Sequence, residues 1–151
     1  MALEYSLSIH TDLGPAELLR LLFPGGTPQP APKGSGAILN TEHLHASAMR
    51  HAPGPISPLQ EELGIEPTAS VLFRLDKFRD TRQGRTEVIR ATVAFLSQRT
   101  EDAALLFNGE IVLLARRQGL LTVNPSCGFW DDASDLALLP KPYEVRSLAV
   151  L

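Results

Sequence analysis

The dipeptide Asn108-Gly109 constrains this chain more than any other feature. It stands between two apolar runs, Ala104-Leu105-Leu106-Phe107 and Ile111-Val112-Leu113-Leu114. A two-residue loop that follows the right-handed twist of its strands needs positive φ at both central positions, which Asn and Gly adopt most readily. Residues 104–114 therefore read as a β-hairpin. Ile111 to Ala115 is apolar at every position rather than at alternate ones, so its strand is expected in the middle of a sheet with cover on both faces. Arg116 to Gly119 reads as a second, solvated turn, and Leu120 to Val123 as the third strand of a meander.

The opening of the chain carries the complementary pattern. Leu3, Tyr5, Leu7 and Ile9 alternate with Glu4, Ser6, Ser8 and His10, which predicts a strand with one buried and one wet face. Asp12 or Gly14 can then cap a helix with Pro15 at its first position, and Ala16 to Phe23 places Leu18, Leu19 and Leu22 on one side. Residues 24–36 hold four prolines and four glycines in thirteen positions, a loop composition. Ala37 to Met49 is ambiguous. Read as extended, it puts Leu39, Thr41, His43, His45, Ser47 and Met49 on one face, with room for a turn at Asn40-Thr41. A second Pro/Gly stretch, Pro53 to Pro58, precedes a helical turn at Leu59 to Leu63 that Gly64 ends.

Further along, Ser70 to Phe78 reads as a strand with Val71, Phe73 and Leu75 inward. Thr86 to Arg99 is the main helix, with Val88, Ile89, Thr92, Phe95 and Leu96 at helical spacing. Trp130 to Leu139 has room for a short helix and Tyr143 to Leu151 for a closing strand or tail. Helices are grouped rather than strictly alternating with strands. The expected architecture is one α+β domain over residues 1–151, a mainly antiparallel sheet with two principal helices packed on one face.

Totals exclude several function classes. Fourteen basic residues stand against seventeen acidic ones, a formal charge of −3, which speaks against nucleic acid because a phosphate backbone demands clustered Lys and Arg. Arg116-Arg117 with Arg99 is a small basic spot without interleaved aromatics, and the expectation there is a solvated turn. No apolar window approaches the ~20 residues of a membrane span, and Met1 to Tyr5 lacks the basic and apolar regions of a signal peptide. Cys127 is the single cysteine, so no intrachain disulfide forms and a cytoplasmic setting is expected. Nothing in the sequence implies a cofactor, and neither glycine cluster has the order of a phosphate loop.

Three clusters carry candidate chemistry. His43 and His45, on one strand, would point the same way, and with Glu42 or His51 they are the metal candidates; the fixed third ligand of a specific zinc pattern is missing, and surface histidines are the plainer reading. Cys127 lacks the neighbours of a nucleophile and is expected to be an inert, partly buried thiol. Asp131, Asp132 and Asp135 beside Trp130 form the densest acidic patch. Capping of a helix accounts for such aspartates, and an acidic, aromatic-bearing surface for a basic protein partner is the functional alternative.

The hairpin Ala104 to Glu110, Leu113-Leu114, the Arg-rich turn and Leu120 to Pro125 together resemble the immunity proteins of the swarming-inhibition toxin-exchange systems. The opening Leu3-Glu4-Tyr5-Ser6-Leu7, the Phe129-Trp130 pair and the Pro142-Tyr143 tail fit the same family. The resemblance covers most of the chain and rests on turn and core patterns. It implies a cytoplasmic, non-enzymatic protein that binds and neutralises a cognate toxin delivered by neighbouring kin cells. Two rivals remain at this level: a metal-dependent enzyme built on His43 and His45, and a regulatory module holding a small molecule between the sheet and the Pro/Gly-rich loops. Oligomeric state is not legible.

Overall fold

The computed structural model describes residues 3–76 and 78–151. The chain runs β1 (Leu3–Ile9), α1 (Pro15–Leu22), β2 (Gln29–Pro30), β3 (Ala37–Asn40), β4 (Leu44–Arg50), α2 (Pro58–Leu63) and β5 (Ala69–Leu75). It continues through α3 (Thr81–Gln98), β6 (Ala103–Phe107), β7 (Ile111–Arg117), β8 (Leu120–Val123), α4 (Ala133–Leu136) and β9 (Glu144–Val145). Among the described residues nine strands join one sheet in the order β2-β3-β4-β5-β1-β6-β7-β8-β9. Every pairing is antiparallel except β8 with β9. The α+β architecture expected from the sequence is the one observed.

The hairpin turn forms as its chemistry requires: Asn108 and Gly109 have φ of 51° and 72°, and Glu110 N–H donates to Phe107 C=O at 3.1 Å. Gln118 and Gly119 repeat the device, with φ of 50° and 82°, between β7 and β8. Thus the second turn occupies two residues, not four. Arg116 and Arg117 belong to β7, and Arg116 is buried at 7% exposure instead of lying in a solvated turn. Its Nη1 donates to Leu96 C=O at 2.8 Å, its Nε and Nη2 donate to Glu101 C=O at 3.1 and 3.0 Å, and the guanidinium stacks 5.8 Å from the Phe95 ring centroid. A charge survives burial here because its donors meet the Leu96 carbonyl in the last turn of α3, which the helix itself leaves unpaired, and the Glu101 carbonyl in the connection to β6. Burial lowers the Arg116 pKa, but Glu101 and Asp102 act in the opposite direction.

Helices α1 and α3 cover one face of the sheet. Leu18, Leu19 and Leu22 from α1 and Val88, Ile89, Phe95 and Leu96 from α3 meet the inward side chains of β1, β3, β4, β5 and β6. Helix α3 starts five residues before the expected Thr86. Asp80 caps it, its carboxylate accepting the N–H groups of Arg82 and Gln83 at 2.9 and 3.4 Å. Gly84 is there for proximity: a Cβ at that position would sit 2.8 Å from Leu75 Cγ. That glycine makes the first turn look like loop in the sequence.

The ambiguous stretch resolves into β3 and β4 around a turn at residues 41–43, where Thr41 Oγ1 accepts the N–H groups of His43 and Leu44. The turn breaks the alternation. Leu39 faces the helices with Leu44, Ala46 and Ala48, so it does not share a face with His45, Ser47 and Met49.

On the opposite face, α2 is capped by Ser57 and stopped by Gly64 at φ 69°. Leu59 and Ile65 pack against Ala104, Leu106, Val112 and Ala115, with Leu148 and Leu151 of the tail alongside. The tail is fastened by Leu151 N–H donating to Glu110 C=O at 2.9 Å and by a bridge between Ile111 and Val150.

Candidate functional site

The segment after β8 is built on Asn124, which is buried and fully engaged. Its N–H donates to Leu113 C=O at 3.0 Å, its Nδ2 to Val112 C=O at 2.8 Å, and its Oδ1 accepts Ser126 N–H at 3.0 Å. Cys127 then takes φ of 68° and leaves its thiol exposed, where partial burial was expected. The chain turns inward again at Phe129 and Trp130. Trp130 is 6% exposed, its indole N–H donates to Leu113 C=O at 2.8 Å, and its ring meets Phe129 edge-on at 4.8 Å. Phe129 in turn lies 5.4 Å from Tyr5, whose pKa burial raises. A buried indole with its donor satisfied is a fixed base for the residues next to it in the chain.

Those next residues are acidic. Asp131 is exposed. Asp132 is half-buried and caps α4, its Oδ1 accepting Ser134 N–H at 2.9 Å and Ser134 Oγ–H at 2.6 Å, while Oδ2 accepts Arg82 Nη2 at 2.9 Å. The Ser134 hydroxyl and N–H, then Arg82, lower its pKa to about 2. Asp135 is buried, its N–H donating to Asp132 C=O at 3.1 Å. Along this segment Trp130 and Asp135 are buried, Asp132 is half-buried and Asp131 is exposed. A general acid at neutral pH needs a carboxyl pKa raised by desolvation. Asp132 is moved the other way, and its charge is already met within the chain by Arg82.

The two histidines part company. His43, in the turn, places Nδ1 2.8 Å from Glu87 Oε2 on α3, whereas His45, on β4, hydrogen-bonds through Nδ1 to Asn40 Oδ1 on β3. Among the described residues no group of three or more His, Cys, Asp and Glu side chains converges as a metal cage would. Among the described residues no helix is long and apolar enough to cross a membrane.

Two features escaped the sequence reading. One is the clamp of Arg116 with the neighbouring Arg99–Glu101 pair, in which Nε and Nη2 reach the two carboxylate oxygens at 2.6 and 2.8 Å and Thr11 adds a hydroxyl. This pairing lowers the Glu101 pKa. The other is the bare part of the second face. Three cross-strand rows lie there: Asn40–His45–Arg74–Glu4, Ile38–Ser47–Leu72–Ser6 and Met49–Ser70–Ser8. The signal for it was the polar half of the alternation in residues 3–10.

Together these features define a helix-backed antiparallel sheet that presents a fixed acidic segment at the end of its meander. A family model described as SitI3-like matches residues 3–134, and the chain belongs to that family, one of immunity-type proteins. No curated protein and no solved structure matches it.

Proposed function

We propose that this chain is a bacterial, cytoplasmic immunity protein, acting as a single domain over residues 1–151, that binds and neutralises a partner toxin without chemistry of its own. Membership of the SitI3-like family carries the reading. The proposed contact surface is the segment Trp130, Asp131, Asp132 and Asp135. In it Asp131 meets the partner, its backbone flanked by the buried Trp130 and by Asp132, which caps α4. A rigid, ionised patch of this kind suits a basic patch on the toxin, where charge complementarity sets encounter rate and register.

The test is co-expression with any toxin-like product encoded by a neighbouring gene. The wild-type chain is expected to restore growth and to co-purify with the toxin, and Asp131→Lys to weaken the complex by about tenfold or more at unchanged melting temperature. Growth that the wild type does not restore removes the immunity reading. Undiminished binding by Asp131→Lys removes the surface and leaves the reading intact.

A further inference from the structure

The second face of the sheet contains a cleft of about 650 Å³, a size typical of sites that enclose a ligand. Ser6 and Ser8 of β1 and Leu106 of β6 form its floor, and the segment carrying Pro53, Pro55 and Pro58 forms its wall. We propose that this cleft binds an extended peptide segment, uncharged through its middle and ending in a Lys or Arg. The toxin is the source of that segment, and this last clause rests on the immunity reading above.

Three observations select the ligand. First, Ser6 and Ser8 are two positions apart on one strand and share its wet face, so their hydroxyls stand about 6.8 Å apart. That is also the repeat between equivalent peptide groups of an extended chain, so two carbonyls two residues apart in a peptide laid along β1 meet both hydroxyls. Second, proline has no N–H, so the wall offers ring surface rather than backbone donors at those positions. Small apolar side chains pack there, with Leu106 below. Third, the charge is one-sided. Glu66 lines the cleft and is exposed, and among the described residues lining it there is no Lys or Arg. An acidic segment finds no Lys or Arg there, only the imidazole of His51, while a cation at one end finds Glu66.

The probe is a phage-displayed library of unconstrained decapeptides, panned on the full-length protein with the Ser8→Trp protein as soluble competitor. The enriched peptides are expected to lack Asp and Glu and to carry Lys or Arg at one end. Ser8→Trp, which fills the cleft, and Glu66→Lys, which only reverses the charge at an exposed position, are each expected to weaken them by about tenfold or more. Circular dichroism and melting temperature establish that each variant is folded. No enrichment over the competitor, enrichment of acidic peptides, or binding that survives both substitutions overturns the cleft as a peptide site. With the toxin itself the outcomes separate further. Equal binding to wild type and Ser8→Trp overturns the toxin as the source while the immunity reading stands. A toxin that does not bind the wild type overturns the immunity reading, and the peptide selection alone then decides the cleft.

Discussion

The two faces of the sheet are finished differently. On the helix side, cover extends from β3 across to β8, where Leu121 and Val123 join the same core as Ala37 and Leu39. On the other side, α2 and the tail cover β6 and β7 and leave β1, β5, β4 and β3 open, with Leu72 at 37% and Met49 at 48% exposure. The difference follows the side chains strand by strand. Strands β6 and β7 carry apolar residues on both sides and would lose that burial free energy, roughly 25 cal/mol per Å², if either side stayed wet. Strands β1, β4 and β5 put serines on the second side and lose little by leaving it in water. A face finished with small hydroxyl side chains is one that another molecule's backbone can approach closely.

Adjacent positions on β5 give the sharpest way to break this contrast. Phe73 points into the helix side and is fully buried, while Leu72 points to the open side. Phe73→Ala is expected to cost about 3–5 kcal/mol in chemical denaturation, and Leu72→Ala no more than about 0.5 kcal/mol. A loss of several kcal/mol at Leu72 would mean that the second face is covered in solution, and the asymmetry would fall.

A smaller loss, about 3 kcal/mol, is expected for Arg116→Ala, because three hydrogen bonds to the carbonyls of Leu96 and Glu101 vanish with the guanidinium. Hydrogen exchange would locate it: amides near the C-terminal end of α3 should lose protection first, and a loss spread evenly over the molecule would contradict the clamp. On the partly covered face, Leu59→Ala should cost about 2 kcal/mol, since α2 is only six residues long and depends on that side chain for its docking. Protection in α2 should fall while that of α3 holds.

The smallest effect concerns acid. Asp132 and Glu101 both have folded pKa values below their ordinary ones. Each therefore contributes stability that is fully present above the ordinary carboxylate range and is lost as pH falls through the folded value, about 2 for Asp132. A melting curve series from pH 5 downward should decline less steeply in Asp132→Asn than in wild type. Equal slopes would show that the Arg82 and Ser134 contacts do not persist in solution.

Much of the architecture was legible because local chemistry decided it. Asn108-Gly109 permits one kind of turn, and the alternation from Leu3 to Ile9 permits one orientation of β1. The reading failed where tertiary contacts overrode local pattern. Gly84 looks like a helix breaker until Leu75 is seen packed against it, and Arg116 looks like a surface residue until the end of α3 is placed beside it. Within the acidic segment, residue types were readable but orientation was not. Nothing in the order Trp130-Asp131-Asp132 tells that the indole turns inward to Leu113. A cavity between the sheet and a Pro/Gly-rich loop was legible in outline, but not its lining, since its floor and its proline wall come from segments that only the sheet order brings together.

That sheet order has a consequence for how the molecule is made. Strand β1 sits between β5 and β6, pairing Ile9 with Ala69 on one side and with Ala103 on the other. Strand β1 leaves the ribosome before either neighbour and therefore waits for partners about 60 and about 94 positions downstream. Until it docks, the chain holds two separate meanders, each with a raw edge open to any other strand in the cell. The slow step of assembly should be the closing of that gap, and a synthetic peptide matching residues 3–9 supplied during refolding should compete for it.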